Sequence, residues 1–581
     1  MEIKKVGYYL NEKGIPCIKV YAPYCKQLSI VLDESKQEIE LEKNNNYFEK
    51  EIPELIENTK YWLKKDNEKI IPDPYSHYQP NDVLGASMAK LPKKVELNKW
   101  QGIDIEDAII YELHLGTFTP EGNLKSAKSK IAYLKKLGIN VIELMPIAAF
   151  PGNRNWGYDG TYLFAINSSY GDYEDLKLFI EEAHNHNIAV ILDVVYNHFG
   201  PEGNFSGELG PFTKNAQTPW GSAINFDRRN NIGVREFYLY NTYYWLKEVG
   251  FDGFRMDATA LILDSSKVHI LREINLLAQQ IGKEESRKII MIAENLRNEN
   301  KVVSSKDFSF SAQWVDDLNY ALYAFLTKET HRHYRDFGSF NDIVKVLKES
   351  YAYDGTKYNS VYNHFMGENG YFVKPHTCVV HIQNHDQIGN RLHGDRMCAT
   401  YGYDKALVAI TTIFTSPYTP MIFMGEEYGE KAPFNFFESF MDSRLIEAVK
   451  RGRNREWGFS NGKDKVFPHD EALFIESKLN WDLHKQNDNK SILEIYTKLI
   501  ELKKKRIIGV RNRESNKFEV DFENEILYAI TDKSITVINL SDRDVDFSNL
   551  KINTQTSLLL NIDLQNRMDK LYAYTAKIFA R

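Results

Sequence analysis

From residue 108 onward the sequence repeats one pattern, a short apolar run that ends in a polar residue and is followed by an amphipathic stretch. Continuous apolar runs are typical of parallel strands, because helices bury such strands on both faces. Eight candidate strands are present, the sixth of them weak, at residues 109–113, 141–146, 189–193, 253–257, 290–294, 313–314, 379–383 and 421–425. Eight strand–helix units predict an α/β fold with a (β/α)8 TIM barrel.

The sequence on either side of this region has a different pattern, short β-like runs without a long helical period. Before the barrel these runs occur at 18–22, 27–32 and 61–63, and after the basic stretch 503–506 they return at 526–530 and 535–539. Short strands separated by turns are typical of small β-domains. We therefore expect three domains, which are an N-terminal β-sandwich at 1–95, the barrel at 96–505 and a small C-terminal β-domain at 506–581.

Composition excludes several classes of protein. Lys and Arg number 73 against 80 Asp and Glu, a net charge of −7, so no basic field is present to hold nucleic acid. The four cysteines form no C-x-x-C pair and are too sparse for a disulfide framework. The chain starts without the apolar core of a secretory signal, and Pro417 and Pro420 split the longest uncharged run, 406–425, into a helix and a strand. We expect a cytoplasmic protein that binds no nucleic acid, membrane or metal.

Three carboxylates, Asp257, Glu294 and Asp386, stand at or just after the ends of predicted barrel strands. Barrel enzymes place their chemistry at this end, so the three side chains should converge around one mouth. A lone acid at a strand end is more often the N-cap of the next helix. Three together instead fit glycoside hydrolysis, in which one carboxylate attacks the anomeric carbon and a protonated one gives its proton to the leaving oxygen.

Further polar residues support this interpretation. Arg255 precedes Asp257 by two residues, so on a strand both side chains face the same way and the guanidinium keeps the carboxylate ionised. Asp257 is therefore the better candidate nucleophile. His198 and His385 follow other strands and are suited to donate hydrogen bonds to sugar hydroxyls, although a lone histidine is more often structural.

A glycine-flanked loop at 155–160, after the second strand, carries two aromatic residues. Trp156 and Tyr158 are suited to stack on the apolar face of a pyranose, and ordinary loop packing explains Trp156 equally well. His184 and His186, by contrast, lie on the predicted helix before the third strand. There we expect solvated side chains without a role in the site.

Four segments, in this order, resemble the signature regions of the α-amylase superfamily, glycoside hydrolase family 13: 193–198 (DVVYNH), 253–257 (GFRMD), 292–295 (IAEN) and 383–387 (QNHDQ). The resemblance implies Asp257 as the nucleophile, Glu294 as the acid/base and Asp386 as the third carboxylate, which grips ring hydroxyls. It implies no cofactor. With the loop aromatics included, the candidate substrate-binding residues are Arg255, His198, His385, Trp156, Tyr158 and Asp193.

Longer segments resemble one family within this superfamily, the maltooligosyltrehalose trehalohydrolases, at 111–122, 150–160, 200–204, 218–221, 383–391 and 423–430. Members carry both flanking β-domains and release trehalose by cutting the α-1,4 bond beside a terminal trehalose unit. The implied substrate is maltooligosyltrehalose, and the implied functional partner is the synthase that supplies it. Two alternatives stay open, namely an α-glucan branching enzyme or other α-1,4-glucan enzyme, and a non-catalytic glucan-binding protein.

Two positions depart from the pattern of that family. Ala260 stands where the family usually has a histidine, and Leu296 stands where it usually has an aspartate. Both positions follow a catalytic candidate, on the side where the leaving sugar would bind. Because polar groups that pair with a ligand discriminate strongly, their loss predicts weaker discrimination against plain maltooligosaccharides.

Overall fold

The structure is a computed structural model and describes residues 3–456, 467–550 and 556–581. A closed barrel of eight parallel strands forms its centre. The strands, here β1 to β8, pair in chain order, and β8 pairs with β1. Their bounds are Ile110–Leu113, Val141–Leu144, Ala189–Val194, Gly253–Met256, Ile290–Ala293, Ala312–Trp314, Cys378–Val380 and Thr419–Phe423. The predicted (β/α)8 fold and all eight predicted strands are confirmed.

Side chains inside the barrel change character along the strands. Apolar residues, among them Ile110, Val141 and Ile191, pack together at the amino end. Alternate residues of a strand face the same side, so the next inward positions on these strands are Glu112, Glu143 and Asp193. In these three strands an apolar residue of the core is thus followed two residues later by an ionisable group, closer to the barrel mouth.

The fourth strand enters this arrangement through a glycine. Gly253 has a φ of +153°, and a Cβ there would lie only 1.8 Å from the carbonyl oxygen of Ile290 on β5. Only a residue without a side chain permits this close approach of the two strands. The same strand then carries Arg255 on its inward face and ends at Met256, directly before Asp257.

Separate β-sheets flank the barrel on both sides in sequence, as predicted. Before it, one sheet holds Gly7–Leu10, Pro16–Tyr21, Glu42–Asn44 and Tyr47–Glu51, and a second holds Leu28–Leu32, Glu38–Glu40, Lys60–Lys65, Lys69–Ile71 and Ser87–Met88. After it, a five-stranded antiparallel sheet holds Lys517–Asp521, Ile526–Ile530, Ser534–Asn539, Leu558–Ile562 and Ala576–Ala580. The domain boundaries after residues 95 and 505 stay predictions.

Helices and three small hairpins supply the connections. The α-helices of the described residues are Leu115–Phe118, Leu124–Lys128, Ile131–Leu137, Tyr173–Asn185, Ser206–Leu209, Ile232–Tyr243, Ile270–Glu284, Asp317–Thr327, Phe340–Glu349, His385–Gly389, Met397–Tyr401, Tyr403–Thr415, Ser443–Glu456, Glu471–Glu476 and Asn487–Lys504. The hairpins pair Ala148–Ala149 with Tyr162–Ile166, Thr213–Thr218 with Gly221–Ile224, and Asp354–Asn359 with His364–Gly367.

The longest uncharged run divides as the sequence predicted. It contributes the helix Tyr403–Thr415 and strand β8, with Pro417 in the turn between them. Within the three described ranges, no helix combines the length and apolar character needed to cross a membrane.

The expectation for His184 is wrong. Its Nε2 lies 2.8 Å from Oδ2 of Asp252, and its ring stacks on Trp100 with centroids 4.4 Å apart. His184 is buried because it donates a hydrogen bond to the buried Asp252, just before β4. The sequence pattern of its own helix does not show this partner. His186 remains partly exposed, as expected.

Candidate active site

Arg255 occupies the centre of the barrel mouth and is fully buried. Its Nη1 donates to both oxygens of Asp193, at 3.0 and 2.8 Å, and to Oδ1 of Asp257 at 2.9 Å. Its Nη2 lies 2.9 Å from Oε2 of Glu294. The guanidinium carbon sits 4.1 Å above the ring of Trp314, so a cation–π contact covers its face. One guanidinium therefore orients three carboxyl groups.

Asp257 follows β4 and accepts hydrogen bonds at both carboxyl oxygens. Besides the bond from Arg255, its Oδ2 accepts a hydrogen bond of 2.6 Å from Nδ2 of Asn197. Charge-assisted bonds of this kind are short and directional, so they hold the carboxyl group in one orientation. About one eighth of the side chain is exposed, 13%, so an ionised oxygen remains accessible from the mouth.

Glu294 follows β5 and is a buried carboxyl group with a raised pKa. Burial raises its pKa to about 8, because the neighbouring Asp257 and Asp386 add to the desolvation and Arg255 offsets them only in part. Its Oε2 accepts the backbone N–H of Ala258 at 2.7 Å. Ala258 has φ +43°, a conformation that non-glycine residues rarely adopt and that often marks functional sites. At neutral pH, Glu294 is thus a protonated acid beside an ionised aspartate.

Asp386 is the most open of the three carboxyls, with 42% of its side chain exposed. It lies in the first turn of the helix His385–Gly389, but the N-cap of that helix is Asn384, whose side chain accepts from the backbone N–H groups of Asp386 and Gln387. The N-cap interpretation therefore does not apply to Asp386. Its side chain is left to face the barrel mouth, where Asn390 donates to it at 3.1 Å.

Tyr158 links the charged centre to the two candidate histidines. Its hydroxyl donates to Asp193 at 2.6 Å, and its ring stacks on His385 with centroids 5.0 Å apart. His198 lies on the other side of this loop, with Nε2 3.1 Å from the backbone oxygen of Tyr158, and its ring stacks on the half-exposed Trp220. The structure thus brings Tyr158, His198 and His385 together around the carboxylates.

Trp156 and Asp193 do not face the open cleft. Trp156 is 3% exposed, donates from Nε1 to the backbone oxygen of Asn435 at 2.8 Å, and stacks on Phe434. It packs the loop, as the alternative interpretation held. Asp193 is 2% exposed, and Arg255 and Tyr158 occupy its oxygens. It positions these two residues from below.

Comparison with known proteins gives this geometry a family. The model of the alpha amylase catalytic domain matches residues 70–220 and 223–510. The malto-oligosyltrehalose trehalohydrolase of Saccharolobus solfataricus is 41% identical over 505 residues, 86% of each chain, and that of Rhizobium sp. strain M-11 is 36% identical over 87% of this chain and 86% of its own. The chain belongs to the malto-oligosyltrehalose trehalohydrolase family of the alpha amylases.

Solved structures share the fold of this chain. A crystal structure of a protein from Salmonella typhimurium, provisionally named an alpha amylase, is 32% identical, covers 100% of both chains and has a TM-score of 0.89. A pullulanase solved in complex with maltotetraose is 18% identical with a TM-score of 0.72, which shows the shared fold. A 1,4-alpha-glucan branching enzyme from Bacillus mycoides is more distant, 28% identical over 72% of this chain.

In this family member, the two departing positions lie shortly after Asp257 and Glu294 in the chain. Ala260 belongs to the short turn Thr259–Leu261 that follows Asp257 and is partly exposed. Leu296 is 36% exposed and lines a small cavity together with Asp316 and Tyr362. An exposed apolar side chain therefore stands where the family pattern places a carboxylate.

Sequence reasoning missed four residues of the site: Asn197, Trp314, Asp316 and Tyr362. Asn197 bonds Asp257, and Trp314 covers Arg255. Asp316 is largely buried, and its pKa is raised to about 7 because burial outweighs the hydrogen bond from Tyr320. Asp316 lies just after β6, so the search for polar residues at strand ends could have identified it. It was missed because the apolar run of β6 is short and predicts the strand only weakly. Tyr362 is 45% exposed in a hairpin that no barrel pattern predicts.

Proposed function

We propose that this member of the family hydrolyses maltooligosyltrehalose at the α-1,4 bond beside the terminal trehalose and releases trehalose. The observation that carries the proposal is the arrangement around Arg255, where one carboxylate and one protonated carboxylic acid share a guanidinium at the barrel mouth. The identities of 41% and 36% to named trehalohydrolases over most of the chain supply the substrate class.

In the first step, an oxygen of Asp257 attacks the anomeric carbon as the bond to the leaving oxygen breaks. Glu294 gives its proton to that oxygen, so trehalose leaves as a neutral alcohol and the sugar remains bound to Asp257 as an ester. Glu294, now ionised, then takes a proton from water, and the hydroxide attacks the same carbon and frees Asp257. Glu294 thus begins the cycle in the protonation state that its surroundings favour.

Two inversions at one carbon give net retention of configuration. Retaining enzymes hold their carboxyls ~5–5.5 Å apart, whereas inverting ones leave ~6.5–9.5 Å for a water molecule. A hydrogen bond from Nη1 to Asp257 and the 2.9 Å ion-pair contact of Nη2 with Glu294 place both carboxyls against one guanidinium, which supports the short spacing. Asp386, His385 and His198 border the open side, where we assign them to the hydroxyls of the ring being cleaved.

The proposal also includes a partner enzyme and a cellular location. A synthase that converts the reducing end of a maltooligosaccharide into a trehalose unit would supply the substrate. All four cysteines, Cys17, Cys25, Cys378 and Cys398, are unpaired and buried, which supports the proposed cytoplasmic location because reducing compartments keep thiols free.

The test is product analysis on maltooligosyltrehalose and on the maltooligosaccharide of equal length. We expect free trehalose from the first substrate, with the new reducing end initially in the α-configuration by proton NMR. Transferred branches would favour the branching-enzyme alternative, for which Ala260 is a typical small residue. An initial β-anomer would contradict the retaining mechanism, and the absence of any product would favour a glucan-binding protein.

A further inference from the structure

Glu112 contacts His385 at two points. It lies on the inward face of β1 and is fully buried. Its Oε1 is 2.5 Å from Nδ1 of His385, and its Oε2 accepts the backbone N–H of the same residue at 3.2 Å. Tyr158 covers one face of the imidazole. These contacts fix the ring with Nε2 directed toward the open site, 3.6 Å from Oδ2 of Asp386.

The imidazole therefore lies between two carboxyl groups, with one ring nitrogen facing each. A neutral imidazole has one donor and one acceptor, so one of its nitrogens would face a carboxylate oxygen with a lone pair. A doubly protonated ring donates on both sides. We propose that Glu112 is a positioning residue that holds His385 as a fixed imidazolium, so that a charged Nε2–H meets the substrate hydroxyl. This inference rests on the proposed function of the site.

The charges around His385 favour the same state. Burial lowers the pKa of the imidazole, but Asp386 and Glu112 outweigh it and raise the pKa to about 9, against an opposing contribution from Arg255. His381, just after β7, and His114, just after β1, also interact electrostatically with it, but burial lowers their pKa values to about 3 and about 4, so both are neutral. Asp193 and Glu143 also interact electrostatically with His385, and Tyr158 stacks on its ring.

The barrel provides a matched control beside Glu112. Glu143 on β2 is its partner in the strand register, equally buried, yet neither of its oxygens has a hydrogen-bond partner. Burial and the charge of Glu112 raise the pKa of Glu143 well above its usual value, so it stays protonated. Of two adjacent buried glutamates, one bears the charge that faces His385 and the other is neutral.

The experiment compares pH profiles of kcat/KM for the wild type, Glu112→Gln and Glu143→Gln. An opposite charge at this distance shifts a pKa by about 1–3 units, so in Glu112→Gln we expect the pKa of His385 to fall from about 9 to that of Glu294 or below it. The basic limb should then become steeper and move to lower pH. Glu143→Gln replaces one neutral group by another, and its profile should match the wild type. Glu112→Asp, which keeps the charge, should recover most of the shift.

A second comparison shows whether Glu112 acts through His385. Loss of a negative charge also lowers the pKa of Glu294 slightly, so Glu112→Gln is repeated in a His385→Gln background. There the additional shift should vanish. An equal shift in both backgrounds, or a shift as large for Glu143→Gln, overturns the proposal.

The readouts separate this inference from the proposed function. Cleavage is followed on both maltooligosyltrehalose and maltooligosaccharide, since a wild type that cuts only the second overturns the trehalose assignment and still tests Glu112. Binding of maltotetraose is also measured by calorimetry in an inactive Asp257→Asn background. Affinity should be lost as the pH rises. If this loss occurs at a lower pH with Glu112→Gln than without it, the proposal is supported, and an identical pH dependence contradicts it. Thermal unfolding is measured for every variant. If Glu112→Gln does not fold, Glu112→Asp is compared with the wild type instead.

Discussion

Two aspartates mark the two ends of strand β4 and have opposite surroundings. Asp252, at the amino end, is buried and receives four hydrogen bonds of 2.6–3.1 Å, from Trp100, His184, Val190 and Arg287. Although burial favours its protonated form, His184 and Arg287 hold the pKa of Asp252 below its usual value. Asp257, at the carboxyl end, is partly exposed and shares its surroundings with Glu294 and Asp386.

The difference shows what each end of the barrel is built for. A buried carboxylate whose hydrogen bonds are all made stabilises the fold and has no free lone pair for chemistry. Like charges held near one another raise the energy of the folded state and are retained where they do chemistry. Function at the carboxyl end and stability at the amino end is the usual division in barrel enzymes. Four predictions test this division.

The largest effect should follow from Asp257→Asn. The amide retains the shape of the side chain but cannot form the glycosyl ester, so we expect kcat to fall by about 10⁴-fold or more with thermal unfolding almost unchanged. Turnover on maltooligosyltrehalose and a melting curve measure both quantities. Near-normal turnover would show that Asp257 is not the nucleophile.

The converse change is Asp252→Ala. It leaves the buried Arg287 and His184, and the partly exposed Trp100, without this acceptor, which costs about 3–5 kcal/mol by analogy with other broken buried ion pairs. Denaturant unfolding should show this loss, while kcat of the folded fraction stays within about twofold of wild type. If stability were unchanged and activity lost, the amino end would have a catalytic role that this comparison denies.

The pH dependence should differ in sign at the two ends. The raised pKa of Glu294 means that the acid is protonated below about 8 and loses its proton as the pH rises through that value. We expect kcat/KM to fall about tenfold per pH unit above this point. The lowered pKa of Asp252 has the opposite consequence, because its contribution to stability is present at neutral pH and is lost on acidification. Activity that still rises above pH 9 would contradict the role of Glu294.

The smallest effect concerns the side of the mouth where the leaving trehalose would bind. With Ala260 and Leu296, hydrogen bonds to trehalose from these positions cannot form. We expect Ala260→His combined with Leu296→Asp to raise the kcat/KM ratio of maltooligosyltrehalose to maltooligosaccharide by about 10-fold, the value of one hydrogen bond to a ligand. The separate single variants serve as controls. A flat ratio would show that other residues, such as Asn295 or Arg297, set specificity.

Much of the molecule was predictable because local patterns carry it. Apolar runs fixed the eight strands, and their polar ends fixed Asp257, Glu294 and Asp386, since alternation along a strand and the common direction of parallel strands place these residues at one edge. The pair Arg255 and Asp257 is local for the same reason. Even the split of 406–425 into a helix and a strand followed from two prolines.

What the tertiary structure decided are the partners across the barrel. Glu112 and His385 are 273 positions apart, and no periodicity in either segment announces their contact. Trp156 is packed inside its loop and His184 is buried under β4 because distant segments supply Asn435 and Asp252. The physical reason is that a pattern fixes which face of an element a side chain occupies, whereas its partner, burial and protonation state depend on which strands become neighbours when the barrel closes.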